Sequence, residues 1–193
     1  SDDHGGTWQL GGLLPEHTDE SQLVELADGR LLLNMRSYWG RVAKHAGRDG
    51  KRALAWSGDG GETWSGLSFD DTLIEPVCQA SFLRYTLTGT GTGTGAGAAT
   101  GGRNQLLFSN PASTTGRVKM TVRLSYDEGE SWPVSKLLHE GPAAYSSLAV
   151  LPDGSIACLY ERGQENAYET IHFARFSLDW LSGGSDTLPK QTQ

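Results

Sequence analysis

Ser57–Trp64 reads SGDGGETW, and the pattern inside it governs how the rest of the chain is read. Close copies stand at Ser1–Trp8 (SDDHGGTW) and Ser125–Trp132 (SYDEGESW). All three fit S-x-D-x-G-x-[ST]-W. A pattern recurring in this way marks a repeat architecture. Each part has a physical task. Ser and Asp side chains bond their own backbone to close a turn, and Gly supplies positive φ. The Trp buries a large apolar surface beneath the turn.

Strand signals surround these turns. Glu20–Leu26 (ESQLVEL) and Arg30–Arg36 (RLLLNMR) flank Asp28-Gly29, a strong hairpin signal. Tyr145–Leu151 (YSSLAVL) and Ser155–Glu161 (SIACLYE) flank Asp153-Gly154 in the same way. Lys51–Trp56, Gln79–Thr86, Asn104–Asn110, Arg117–Ser125 and Glu169–Ser177 read as further strands. The Arg117–Ser125 run alternates, with Val118, Met120, Val122 and Leu124 on one face. Residues 88–102 are almost entirely Gly, Thr and Ala, and read as a flexible insertion. That gives about a dozen strands in three repeats, at the spacing of propeller blades. A Greek-key sandwich is the alternative, but it leaves the repeated turn unexplained. Residues 1–181 read as one propeller segment and 182–193 as a polar tail. Because residue 1 opens a repeat, the segment reads as part of a larger ring. Three blades do not close one, and open edges need a partner.

The totals narrow the function. The 193 residues suffice for one cored domain, and 26 Gly suit a turn-rich all-β chain. A net charge of −7 gives no electrostatic case for nucleic acid or an anionic membrane. No apolar run reaches the roughly 18 residues of a membrane helix. Cys78 and Cys158 sit in apolar runs without metal-ligand spacing and read as two buried thiols. His4, His17, His45, His139 and His172 show no metal spacing either. No metal or cofactor is expected.

Aligned by their turns, the hairpins place particular residues together. Glu20 and Arg36 each lie eight residues from Asp28, and Tyr145 and Glu161 eight from Asp153. Gln79, in Q-A-S-F, occupies the slot of Glu20 in E-S-Q-L and Tyr145 in Y-S-S-L. Equivalent positions of successive blades converge on one mouth. Glu20, Arg36, Gln79, Tyr145 and Glu161 are therefore expected to ring it. Two converging arginines, Arg36 and Arg117, make a receptor for a carboxylate.

The repeated turn resembles the Asp-box of sialidases and other β-propellers, where it joins the outer two strands of a blade and is structural. NMRS (Asn34–Ser37), SNP…R (Ser109 to Arg117), AYSSL (Ala144–Leu148) and LYE (Leu159–Glu161) resemble the carboxy-terminal half of a six-bladed exo-α-sialidase. The order and spacing agree over nearly the whole chain. The resemblance implies that Tyr145 is the nucleophile and Glu20 the base that takes its proton. Arg36 and Arg117 would be two of three arginines that clamp the sialic acid carboxylate, Gln79 would contact substrate, and Glu161 would steady the third arginine. Sialidases with a Tyr nucleophile depart from the two-carboxylate rule for glycosidases. A phenol with a pKa near ~10 needs an adjacent base, and a neutral nucleophile is not repelled by the sugar's own carboxylate.

Two parts of the family pattern do not occur. The first arginine, in a motif like F-R-I-P, and the acid/base Asp belong to an amino-terminal half that this chain lacks. The isolated chain is therefore expected to be inactive. The family's partner is a sialylated glycan, and its members are secreted, periplasmic or lysosomal. Tyr38, Trp39 and Tyr168 are candidates for the rim. The alternatives are a non-enzymatic Asp-box propeller that binds a glycan or protein, and a trans-sialidase.

Overall fold

The computed structural model describes residues 1–14, 17–39, 48–86 and 103–186. The 88–102 insertion and the tail beyond 186 lie outside them. The chain is all-β, as read. A four-stranded antiparallel sheet is formed by β1 (Thr18–Glu25), β2 (Leu31–Ser37), β3 (Lys51–Ser57) and β4 (Ser68–Ile74). A second sheet holds β5 (Ser81–Thr86), β6 (Gln105–Pro111), β7 (Val118–Ser125), β8 (Val134–Val150), β9 (Ile156–Arg162) and β10 (Thr170–Phe176).

The long strand β8 resolves the second sheet into two blades. Its first part, through Pro142, pairs with β7, and Ala143–Val150 pairs with β9. Gly141-Pro142 interrupts the sequence pattern, which on its own places the start of the strand only at Tyr145. The extended backbone runs through instead, because its two ends serve different blades. Strand β4 was also missed. Its Asp70-Asp71 pair breaks the alternation, and Asp70 Oδ1 accepts from Thr72 N at 2.7 Å and Leu73 N at 3.0 Å. The three blades form a partial β-propeller.

Apolar layers between blades supply the core. Val24, Leu32, Leu54, Phe82, Leu106, Phe108 and Trp132 pack between the first and second blades. Leu107, Met120, Val122, Leu124, Leu148, Ile156 and Tyr160 pack between the second and third. Strand β6 alternates between these layers and is buried throughout, which explains its unbroken apolar run Leu106–Phe108. After β10 a short helix, α1 (Leu178–Ser182), buries Leu178 and Leu181. No helix was expected between the last strand, ending at Ser177, and the polar tail from Ser182. Ser177 caps the helix by accepting from Trp180 N at 3.1 Å, and Gly183 ends it at φ 67°. Among the described residues no helix is long and apolar enough to cross a membrane.

All three S-x-D-x-G-x-[ST]-W stretches close the same turn. In the middle copy Ser57 Oγ donates to Asp59 Oδ1 at 2.8 Å, while Gly61 N donates to Ser57 Oγ at 2.8 Å. Asp59 also accepts from Thr63 N at 2.9 Å. Asp3 and Asp127 repeat this with Thr7 and Ser131. Positive φ falls on two successive positions rather than on the patterned Gly alone: His4 and Gly5, Gly60 and Gly61, Glu128 and Gly129. Glu128 uses its place to link blades. Its carboxylate accepts from both Nη atoms of Arg84 at 2.7 and 2.6 Å and from Ala27 N at 2.8 Å.

The tryptophans behave differently from one copy to the next. Trp132 is buried against Phe82 and Phe108. Trp64 is half-buried, and Trp8 is 80% exposed. The turn closes through local bonds alone, whereas the Trp needs a sheet to cover. No described strand lies beneath Trp8.

The turn carboxylates predict an acid limit to stability. Asp59 is pulled down to about 2, first by the Thr63 hydroxyl and then by its N–H. Asp3 and Asp127 are also lowered; for Asp127, burial pushes up but the Ser131 bonds outweigh it. A carboxylate lowered on folding stabilises above its unfolded pKa, near ~4, and that stability is lost as pH falls through the folded value. Thermal melts should therefore fall steeply between about pH 4 and pH 2, and Asp59→Asn should flatten part of that fall.

Candidate active site

Tight turns set the register that assembles the site. Gly29 and Gly154 take φ of 85° and 78°, and the two turns share one bonding pattern. Leu26 N donates to Arg30 O at 2.7 Å, and Leu151 N to Ser155 O at 2.8 Å. The ladder then runs to an irregularity at the same place in both hairpins. Register shifts between Thr18 and Ser21 in β1, and between Ala143 and Ser146 in β8. Glu20 and Tyr145 sit inside these two β-bulges. A bulge adds a residue and re-aims the side chains beside it.

The two side chains meet. The Tyr145 hydroxyl donates to Glu20 Oε1. Arg36 Nη1 donates to Glu20 Oε2 at 2.6 Å and to the Tyr145 oxygen at 3.3 Å. The Arg117 guanidinium carbon stands 5.6 Å from the Tyr145 ring centroid. Glu161 lies behind, its Oε2 accepting from Tyr145 N at 3.0 Å. Gln79 sits alongside, but its amide faces the backbone. Its Nε2 donates to Ser146 O and its Oε1 accepts from Ser146 N, both at 3.0 Å. All six residues singled out from the sequence thus fall in one cluster. Four of them present side-chain groups to a common point: Tyr145, Glu20, Arg36 and Arg117.

The electrostatics assign the resting proton. Burial pushes Glu20 up, but hydrogen bonds from Tyr145 and Arg36 outweigh it, so its carboxyl is held below its usual value. The Tyr145 phenol is raised, chiefly because it donates to Glu20 and secondarily by burial, while Arg36 and Arg117 oppose the rise. Arg36 is disfavoured by burial, yet the Glu20 carboxylate outweighs that and raises it. The ground state is therefore phenol beside carboxylate, with two guanidinium groups ready to stabilise a phenolate. Rim candidates are present too. Arg36 stacks on the Tyr38 ring at 4.8 Å, and the Tyr168 hydroxyl accepts from Arg117 Nη1.

A network beneath the site was not legible in the sequence. Arg52 and Glu75 are 1% and 0% exposed. Arg52 donates to Glu75 Oε2, Asn34 Oδ1 and Cys78 O, each at 2.7 Å. Glu75 Oε1 accepts from Ser37 N at 2.7 Å, and its Oε2 from Cys78 N at 3.2 Å. Burial pushes Glu75 up and Arg52 down, and each is opposed by the other's charge. A charged pair inside KRALAW and IEPV looks like strand-end polarity; the one hint is a Glu between the apolar Ile74 and Pro76. Cys78 and Cys158 are buried free thiols, as read, raised by burial to about 11 and about 12.

Residues 1–158 match the BNR repeat-like domain. A sialidase of Micromonospora viridifaciens is 40% identical over 183 residues, which span 95% of this chain and 25% of that protein. Among solved structures, a Hadza microbial sialidase superposes with a TM-score of 0.73 at 35% identity, covering 94% of this chain and 32% of that one. An intramolecular trans-sialidase from Ruminococcus gnavus gives 0.70 at 25% identity, covering 94% and 38%. The chain thus spans between a quarter and two fifths of these relatives. Fold and repeats together define a BNR-repeat segment of a β-propeller. Within that class the chain belongs to the exo-α-sialidase family.

Two measurements probe the site without substrate. Removing one partner of a buried ion pair strands the other, at a cost of about 3–5 kcal/mol. Glu75→Gln should lower unfolding free energy by that order in urea titration. Glu20→Gln removes the main cause of the raised phenol. Tyr145 should then ionise at lower pH than in the parent, as read by ultraviolet difference titration against Tyr145→Phe.

Proposed function

We propose that this chain carries the nucleophile half of a retaining exo-sialidase, which releases terminal sialic acid from glycoconjugates. The observation that carries the reading is the Tyr145–Glu20 hydrogen bond, bracketed by the Arg36 and Arg117 guanidinium groups. A phenol paired to a carboxylate base is an activated nucleophile. The arginines supply the charge that a carboxylate-bearing sugar requires.

In the proposed reaction the guanidinium groups hold the sugar carboxylate and orient the anomeric carbon. Tyr145 Oη attacks that carbon as its proton passes to Glu20 Oε1. The bond to the leaving oxygen breaks, and that oxygen takes a proton from a general acid supplied by the amino-terminal half. Water then attacks the same carbon, giving a proton to that same group of the amino-terminal half, now a base, and displaces Tyr145, which recovers its proton from Glu20. Two displacements retain configuration. Gln79 acts here through the backbone of Ser146, next to the nucleophile, and Glu161 through Tyr145 N and the third arginine.

The missing half is part of the proposal. Trp8, Leu10 and Leu13 are exposed at one end of the described chain, and Ile171 and Phe173 at the other. Such apolar side chains suit packing against further blades. The relatives are about two and a half to four times as long as the aligned region. The chain alone is expected to be inactive, because a positioned acid is worth about 10²–10⁴ in rate. Likeness to an intramolecular trans-sialidase keeps transfer as the second reading, in which an acceptor hydroxyl replaces water.

A fluorogenic sialoside assay on the whole protein that contains this chain tests the reading. Tyr145→Phe should lower kcat by about 10²-fold or more. Hydrolysis by this variant at the parental rate would remove Tyr145 from the chemistry. Product analysis by NMR separates free sialic acid from a transfer product.

A further inference from the structure

Arg117 precedes β7, and its side chain is anchored from two sides. Nη1 donates to the Tyr168 hydroxyl, and Nη2 to the Val77 carbonyl at 3.2 Å. The guanidinium carbon lies 5.6 Å from the Tyr145 ring centroid and 6.0 Å from that of Tyr168. Its backbone is pinned as well, since Arg117 O accepts from Ala143 N at 2.9 Å, at the edge of the bulge that carries Tyr145.

Both anchors are built. Val77 has φ 58°, a conformation that is strained for a β-branched residue and persists only where the surroundings impose it. Here they do, because the next residue, Cys78, is bonded through its carbonyl to Arg52 and through its N–H to Glu75. Tyr168 is exposed, yet its loop is stapled. The Glu169 carboxylate accepts from Gln164 N, Glu165 N and Asn166 N at 3.0, 2.9 and 2.7 Å. Asn166 Oδ1 in turn accepts from Tyr168 N at 2.9 Å. At Gly163 a Cβ would come within 1.9 Å of Asn166 O, so the loop's course admits only glycine there.

From this we infer that Tyr168 is a positioning residue for Arg117, acting together with the Val77 carbonyl. The inference rests on the sialidase reading of the site. A guanidinium has five N–H donors. With one Nη1 hydrogen on Tyr168 and one Nη2 hydrogen on Val77, its plane is held in place. One N–H on each Nη and the Nε–H then remain for a substrate carboxylate. A planar fork that is held still loses less freedom on meeting a carboxylate than a free one.

The test uses the whole protein and the Tyr168→Phe variant, which keeps the ring and removes the anchor. The KM for a fluorogenic sialoside should rise about tenfold with kcat little changed, as expected when a binding contact is weakened. The decisive probe is a 2,3-unsaturated sialic acid analogue, compared as free acid and as methyl ester. The parent should prefer the acid. The variant should lose about tenfold of that preference and bind the ester as the parent does. Equal weakening for both probes would mean that Tyr168 only shapes the rim, and the inference fails. An unchanged preference for the acid overturns it too. A parent that neither hydrolyses sialosides nor binds the acid would instead sink the functional reading. A crystal structure of the variant then decides the anchor separately: Arg117 should leave Val77 O, and an unmoved guanidinium rejects the inference.

Discussion

Taking a guanidinium and a carboxylate out of water costs several kcal/mol per ion unless each finds its partners. Arg52 and Glu75 meet that condition beneath the mouth of the propeller, and the site is assembled around them. Through Asn34 and Ser37 the pair touches strand β2 on either side of Arg36. Through Cys78 it holds the turn whose Val77 carbonyl reaches Arg117. One residue further on, Gln79 grips the backbone of Ser146 beside Tyr145. Three blades are thus tied to one buried charge pair through short chains of hydrogen bonds.

The bulges perform the complementary task. A regular ladder would alternate Glu20 and Tyr145 strictly with their neighbours, following the pleat. An extra residue at the mouth end of β1 and of β8 turns each side chain toward the other. Because the hairpins are repeats of one another, the same local irregularity serves a base in one and a phenol in the other. The proton between them stays on the phenol, since its hydrogen bond to Glu20, joined by that of Arg36, holds the carboxyl low while the same Tyr145–Glu20 bond raises the phenol.

The fold was largely legible because its signals are local. Asp-Gly turns, alternating strands and self-bonded Ser/Asp turns do not need the rest of the protein to be recognised. Two of the misses share one cause. Strand β4 and the start of β8 are defined by pairing with neighbours, against a local pattern of paired aspartates or Gly-Pro. The exposed Trp8 makes the same point, since the turn that carries it closes without the sheet its ring would cover.

For the site, residue identity and hairpin arithmetic were enough to gather Glu20, Arg36, Gln79, Tyr145 and Glu161 at one end of the blades, and the family resemblance added Arg117. That much belongs to the sequence, because turn position and the two-residue strand period together place each side chain along the sheet. Which atoms face one another was decided only in three dimensions. Bulges, the strained carbonyl of Val77 and the burial of Arg52 with Glu75 depend on contacts between residues far apart in the chain. No local pattern encodes those contacts, and through them Gln79 was turned to the backbone and Tyr168 to Arg117.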